Sequence, residues 1–334
     1  MTNDLTIQEQ PPEGLTRIDG GVLAPIAEVQ SAADYASDSL AKNTKVTYAS
    51  AWRKWLAFCA ERDFEPYGPR GQIAIYLAWL ADNAAKVSTV SIALCAICKA
   101  YENEGLPSPR EDRAVKLVYQ GIRRRVGIAP EQVEAVLPHH LRSMVDSLPE
   151  PLGKDRLRAL RNRSLLTIGW VGGMRRSEIV ALQVSDVQKV PEGLRVTIRR
   201  SKTDQEAKGR VIAIPYGTWL QTCPVRSLES WLTAAGIEEG PLFRTVTPDG
   251  KGVRPWSITD RQLANIVKQC AKNAGVEGRF AGHSLRAGLV TSAVRAGKQI
   301  KSIQAQTGHK TLEVLYRYVR EQELFKDSPS AGLV

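Results

Sequence analysis

Two histidines, three arginines with Arg286 the first of them, and two tyrosines fall within one stretch, HSLRAGLVTSAVRAGKQIKSIQAQTGHKTLEVLYRYV, which runs from His283 to Val319. His283 and Arg286 are three positions apart and share a face if the segment is helical, so both can touch one phosphate. A guanidinium offers a rigid, permanently charged fork that matches phosphate oxygens. A phenol, with a reference pKa of about 10, can attack phosphorus and also leave again. His309 follows Gly308 at the expected end of a helix, so its ring should emerge from the helix C-terminus and not lie on an apolar face. Tyr316 and Tyr318 are roughly 200° apart around a helix, so only one of them can face such a pocket.

HSLR, then TGHK, then a tyrosine nine residues beyond the histidine resembles the second signature box of the tyrosine recombinases, also called the phage integrase family. That spacing selects Tyr318 over Tyr316. GGMRRSEIVAL, from Gly172 to Leu182, resembles the family's arginine box, with Arg175 in the catalytic position, Arg176 beside it and Glu178 as the acidic companion. Lys202, in RRSKTDQ, stands where the family carries a lysine on a β-hairpin. Ala287 follows Arg286 where the commonest pattern has a second histidine, outside the chemical groups.

The resemblance implies a site-specific recombinase. Arg175, Arg286 and His309 would grip the nonbridging oxygens of the scissile phosphate. Tyr318 would attack to leave a 3′-phosphotyrosine and a free 5′-hydroxyl. Lys202 would act as general acid, His283 would assist proton movement, and Glu178 would hold His283 or Arg175 in place. It further implies a duplex DNA target with inverted binding elements, a homotetramer on two DNA sites, strand exchange through a Holliday junction, and no cofactor or metal. Two other outcomes fit similar residues: a type IB topoisomerase or telomere resolvase using the same chemistry, or a DNA architectural protein without activity.

These side chains need a scaffold. KDRLRALRNRSLLTIGWVGGM reads as a buried helix closed by Gly172 and Gly173, glycines that let backbone approach a ligand, with a new helix starting near Arg175. A short strand is expected in ALQVSDVQ. A hairpin should follow, made of Leu194–Arg200 and Gly209–Ile214, with Ser201 and Lys202 at the start of a charged tip. Residues 215–280 read as packing helices and loops, with Leu263, Ile266 and Val267 inside and Arg261 and Lys268 outside. Beyond them come a helix ending at Gly297, a second from Ile300 to Thr307, and a third from Thr311 to Val319.

Ahead of this lies a helical region from about Ser31 to Arg125. Asn43 or Thr44 is expected to cap its first long helix, with Val46, Trp52, Trp55, Leu56 and Cys59 near one stripe, and Ser88 to cap the third. Thr44, Lys45, Lys86, Ser88 and Thr89 sit at helix starts, where they serve either as caps or as phosphate contacts. Arg123, Arg124 and Arg125 add a basic cluster; with Arg176 and Ser201 these are the candidate DNA contacts. The family likeness makes the fold class mainly α with a small β-hairpin or sheet in the catalytic domain, a two-domain DNA clamp. The expected divisions are an acidic mobile tail over 1–28, a helical core-binding domain over 29–126, a linker over 127–138, a catalytic domain over 139–321, and a tail over 322–334. Leu324 and Phe325 in that last tail would pack on a neighbouring subunit.

Composition agrees with two domains in 334 residues. The net charge is +11 and uneven: residues 1–40 hold one basic and seven acidic residues, leaving +17 on the remainder and pointing to a polyanionic partner such as nucleic acid. Five cysteines at irregular spacing argue against a disulfide framework and read as buried thiols of a reduced protein. Cys95 and Cys98 form a CxxC with nothing nearby to complete a zinc site. No apolar run approaches the roughly 20 residues that span a bilayer, and no secretory signal opens the chain, so a cytoplasmic, DNA-associated protein is expected.

Overall fold

The computed structural model describes residues 15–17, 22–38, 40–127, 133–149, 152–199, 209–313, 315, 316 and 318. Ser201, Lys202 and the segment 322–334 lie outside the described residues, as does most of the acidic leader. The chain divides into two compact units, Met1–Pro130 and Glu131–Val334.

Within the leader, β1 (Leu15–Arg17) pairs antiparallel with β2 (Leu23–Pro25), and α1 (Ile26–Asp38) follows directly. The span expected as a tail thus includes, among its described residues, one strand pair and the start of a helix. The rest of the first unit is α2 (Lys42–Ala60), α3 (Arg70–Asp82), α4 (Val87–Asn103) and α5 (Arg113–Val126). An aromatic core holds them: Trp55, Phe58, Tyr76 and Trp79 have ring centroids 4.8–6.1 Å apart, and the Trp55 indole donates to the Pro66 carbonyl. Trp55 and Cys59 are buried as the stripe predicts, but Val46 and Leu56 are exposed. The buried face of α2 is the narrower one defined by Trp55, Phe58 and Cys59.

Helix starts fall earlier than cap chemistry suggests. Ala41 occupies the N-cap of α2 and Lys86 that of α4, so Thr44, Ser88 and Thr89 lie within first turns and cap nothing. Helix α5 does have a side-chain cap, Asp112, which accepts from the Val115 N–H at 3.0 Å. Arg123, Arg124 and Arg125 occupy the last turn of α5, where cations suit the helix dipole. All five cysteines are free. Cys59, Cys223 and Cys270 are buried, whereas Cys95 and Cys98 are half-exposed, with Arg110 donating to the Cys95 sulfur at 3.0 Å.

The second unit is built on α7 (Arg156–Gly172), which is buried from Ser164 to Gly169. Around it pack α6 (Pro138–Asp146), α9 (Pro224–Ala235), α11 (Ser284–Arg295) and a three-stranded antiparallel sheet of β3 (Val187–Val190), β4 (Gly193–Ile198) and β5 (Arg210–Pro215). The strand expected in ALQVSDVQ begins only at Val187, because residues 184–186 form a 3₁₀ turn in which the Asp186 carboxylate accepts the Gln183 N–H. The region read as helices and loops also contains a ribbon, β6 (Arg244–Val246) with β7 (Val253–Ser257). The ribbon leads into α10 (Asp260–Asn273), whose Leu263 and Val267 are buried while Arg261 and Lys268 are exposed. The chain then runs through α11, α12 (Ile300–Thr307) and a last stretch in which the described residues 312, 313, 315, 316 and 318 are helical. Among the described residues, no helix is long and apolar enough to cross a membrane.

Gly288 brings α11 against the strand-like approach to α6. A Cβ there would stand 2.0 Å from the Val136 carbonyl oxygen and 2.7 Å from the Trp170 indole nitrogen, which itself donates to that carbonyl at 2.6 Å. The obstacle is backbone, so it cannot swing aside. Gly288→Ala should therefore lower stability by about 3 kcal/mol, the upper range for overpacking, read from the midpoint of urea unfolding. An unchanged midpoint would show that α11 and residue 136 separate at little cost.

Candidate active site

Arg175 is the N-cap of α8 (Arg176–Ala181), one residue beyond the fully buried Met174. Glu178, also buried, turns back and fastens it twice: the carboxylate accepts from the Arg175 N–H at 2.9 Å and from its Nη1 at 2.8 Å. Arg210, the first residue of β5, grips the same carboxylate with both terminal nitrogens at 3.2 and 2.9 Å. Glu178 thus serves Arg175 and Arg210, with no bond to His283. Burial by itself would raise its pKa, but the paired bonds and charge of Arg210, reinforced by Arg175, outweigh that and hold it below the ordinary carboxylate range.

Arg286 lies on the first turns of α11 and is 1% exposed. Its Nη1 donates to the Gly173 carbonyl at 2.7 Å and also to the Thr307 carbonyl. Arg175 donates through Nη2 to the neighbouring carbonyl, Gly308, at 3.2 Å. The two guanidiniums therefore meet at consecutive peptide units, and His309 is the next residue. Nη2 of Arg286 is buried and has no hydrogen-bond partner among the described residues. Such an unmet buried donor is the kind a bound anion satisfies. Burial and then the nearby Arg175 charge push the Arg286 pKa down to about 10.

Gly308 ends α12 in the left-handed conformation at φ 66°, which turns His309 out of the helix. The His309 Nδ1 lies 2.7 Å from the Thr307 hydroxyl, and its pKa is pushed down to about 3 by burial, then by Arg286, Arg175, His283 and Arg210. His283 is the N-cap of α11. Its ring opens to solvent, yet the surrounding protein removes enough water, and Arg286, Arg175 and Arg176 enough favourable potential, to lower its pKa as well. Arg176 runs across Gly282, where a Cβ would stand 2.1 Å from the arginine Cδ.

Tyr318 is half-buried against the small cluster of Val290, Ile303 and Leu315, close enough that its phenolate form would interact with Arg286. Tyr316 points outward at 47% exposure. The structure thus brings Arg175, Glu178, His283, Arg286 and His309 together, with Tyr318 within electrostatic reach. Lys202 and Ser201 lie outside the described residues. Thr44, Lys45, Lys86, Ser88, Thr89, Arg123, Arg124 and Arg125 belong to the first unit, at two helix starts and one helix end.

Gly173 has a different use from the one its motif suggests. A Cβ there would meet Leu289 at 2.6 Å and Thr307 at 2.9 Å, so its smallness lets the end of α7 pack against α11 and α12. Sequence reading missed two residues, Arg210 and Thr307. An arginine opening the second strand of a hairpin, and a threonine just before a Gly-His pair, were the only signals available.

The phage integrase family model matches residues 145–324. An integrase/recombinase xerD homolog from Selenomonas ruminantium is 34% identical over 296 residues, covering 87% of this chain and 85% of that protein. Recombinase cre of Escherichia phage P1 is 27% identical over 289 residues, covering 81% and 82%. Among solved structures, XerH site-specific recombinase in a pre-cleavage complex with difH substrate has a TM-score of 0.55 at 19% identity, covering 85% of this chain and 78% of that one. A lambda integrase dimer bound to a COC′ core site has a TM-score of 0.58 at 14% identity, covering 88% and 76%. These two structures share the mainly helical fold with its small antiparallel sheets. With its own motif residues inside the matched span and relatives aligned along most of its length, the chain belongs to the phage integrase family and is a tyrosine recombinase.

Proposed function

We propose that this protein cleaves and rejoins duplex DNA at specific sites through a 3′-phosphotyrosine on Tyr318. The observation that carries the reading is the convergence of Arg175, Arg286 and His309 on the peptide units of residues 307–308, with a buried Arg286 nitrogen unmet. A phosphodiester undergoing attack gains charge on its nonbridging oxygens, and fixed cations in a dry site stabilise that charge more than they stabilise the ground state. Glu178 offsets only part of the positive charge around it, so the site holds a net cationic field that an incoming phosphate relieves.

Attack by the Tyr318 oxygen forms the phosphotyrosine bond and breaks the bond to the 5′ oxygen, which leaves with a proton as a hydroxyl. By family likeness Lys202 gives that proton, and His283 handles the proton on the tyrosine. Because the phenolate can leave again, the bond energy is conserved for ligation without ATP. Thr44, Lys45, Lys86, Ser88, Thr89, Arg123, Arg124, Arg125, Arg176 and Ser201 are assigned to the DNA backbone in this reading. Four protomers on two inverted-element sites would exchange strands sequentially through a Holliday junction, as a lambda integrase tetramer has been seen bound to such a junction.

The test is to trap covalent adducts on genomic fragments and sequence the ends. Protein joined to 3′ ends, with free 5′-hydroxyls at one recurrent sequence, is the expected result. Linkage to 5′ ends, or adducts at random positions, would overturn it. Two copies of the recovered site on one plasmid should then recombine; relaxation alone would place the enzyme with type IB topoisomerases.

A further inference from the structure

We infer that Thr307 is a positioning residue that holds the proton of neutral His309 on Nδ1, so that His309 serves a bound phosphate only as an imidazolium and takes up one proton as that phosphate enters. This rests on the proposed phosphate pocket and adds how one of its donors is prepared.

Thr307 is completely buried, and its hydroxyl oxygen has two partners: the Ile303 carbonyl at 2.6 Å and His309 Nδ1 at 2.7 Å. A hydroxyl has one hydrogen, and a carbonyl can only accept. If the hydrogen points at Ile303, the lone pairs of the hydroxyl face the ring, so Nδ1 must be the donor. The opposite placement would set two oxygen lone pairs against each other at 2.6 Å. The neutral ring therefore carries its bare lone pair on Nε2, away from Thr307. A lone pair cannot donate to a phosphate oxygen. Donation requires a second proton, taken from the buffer onto Nε2, which raises the ring from neutral to +1 and breaks no other bond.

In the free protein that protonation is opposed from every side. Arg175 at the start of α8, His283 and Arg286 at the start of α11, and Arg210 at the start of β5 all bear on the ring, and the one carboxylate among them, Glu178, is bonded to Arg175 and Arg210. A dianionic or monoanionic phosphate reverses that field, and linkage then ties phosphate affinity to proton uptake. The same threonine also holds Arg286 through its backbone carbonyl, so one residue orients two donors.

The test uses the full chain with ¹⁵N-labelled histidine and arginine. In the wild type and in Thr307→Ser, which keeps the hydroxyl, Nδ1 of His309 should resonate as a protonated, pyrrole-like nitrogen and Nε2 as a bare, pyridine-like one. In Thr307→Val the two should shift toward the opposite tautomer. Titrating dimethyl phosphate, a monoanion with no titratable proton near pH 7, into the wild type should move both nitrogens to imidazolium positions, with about one proton taken up per phosphate, measured by calorimetry in two buffers of different ionisation enthalpy. An Nε2–H tautomer in the wild type, or an unchanged tautomer in folded Thr307→Val, overturns the role of Thr307. Phosphate bound beside a ring that stays neutral overturns the proton uptake. Phosphate that moves neither His309 nor Arg286 resonances would count against the phosphate pocket itself, separately from the tautomer measured in free protein.

Discussion

Tyr318→Phe should form no covalent complex with DNA while binding it as well as the wild type. The substitution removes one oxygen from a half-buried ring whose body packs on Val290, Ile303 and Leu315, so the fold has little reason to change. In the proposed mechanism the lost oxygen is the nucleophile, and deleting a nucleophile from groups that act as a unit costs on the order of 10⁵-fold or more in rate. DNA binding, governed by the basic surface and the cations of the pocket, should stay within about twofold, since no charge has been altered at neutral pH. Tyr316→Phe is the matched control. Its ring points outward, and it should retain full adduct formation. Adducts in Tyr318→Phe that vanish in Tyr316→Phe would reverse the assignment. The measurement is a denaturing gel of protein mixed with the trapped DNA, read beside a mobility shift at fixed salt.

The second large effect belongs to Glu178→Gln. Its carboxylate is buried and receives four hydrogen bonds from Arg175 and Arg210. An amide of the same shape keeps one oxygen but turns an NH₂ group toward guanidinium nitrogens that can only donate. The cations around it would then have no counter-charge. Removing one partner of a buried ion pair costs about 3–5 kcal/mol, enough to lower the unfolding midpoint by several degrees or more. Activity should fall further than folding accounts for, because Arg175 loses the bond that orients it. The pH dependence supplies a second reading. The folded-state pKa of Glu178 is depressed, so its contribution is fully present above about pH 4.3, its ordinary value, and is lost as the pH drops through the lower folded value. The wild type should therefore lose stability in that acidic window, and Glu178→Gln should lose less, by the contribution of this one carboxylate. Equal stability of the two proteins at pH 7 would show that the arginines find compensation elsewhere.

The residues that converge on one pocket were legible because their spacing and their geometry coincide. His283 and Arg286 share a turn, the left-handed Gly308 releases His309, and Arg175 follows a glycine pair closing a buried helix. What escaped depends on strands and helices meeting at long range. Arg210 matters because β5 runs up to α8, which nothing in RVIAIP announces. Thr307 resembles any short polar residue near a helix end, until its two partners are seen to compete for one hydrogen. Cap chemistry misled at α2 and α4, since Ala41 and Lys86 supply the extended backbone that starts each helix and no side-chain bond is required. The ribbon β6–β7 was invisible because a register shift between Arg244 and Val246 breaks the alternation by which a strand is recognised.

Arg175 and Arg286 donate to consecutive carbonyls at the end of α12, those of Gly308, which is left-handed, and Thr307. A change in that one turn would take one acceptor from each guanidinium and would move the imidazole of His309. Each arginine keeps a second, independent anchor, Glu178 for Arg175 and the Gly173 carbonyl for Arg286, so the cations are braced from two sides before any phosphate arrives.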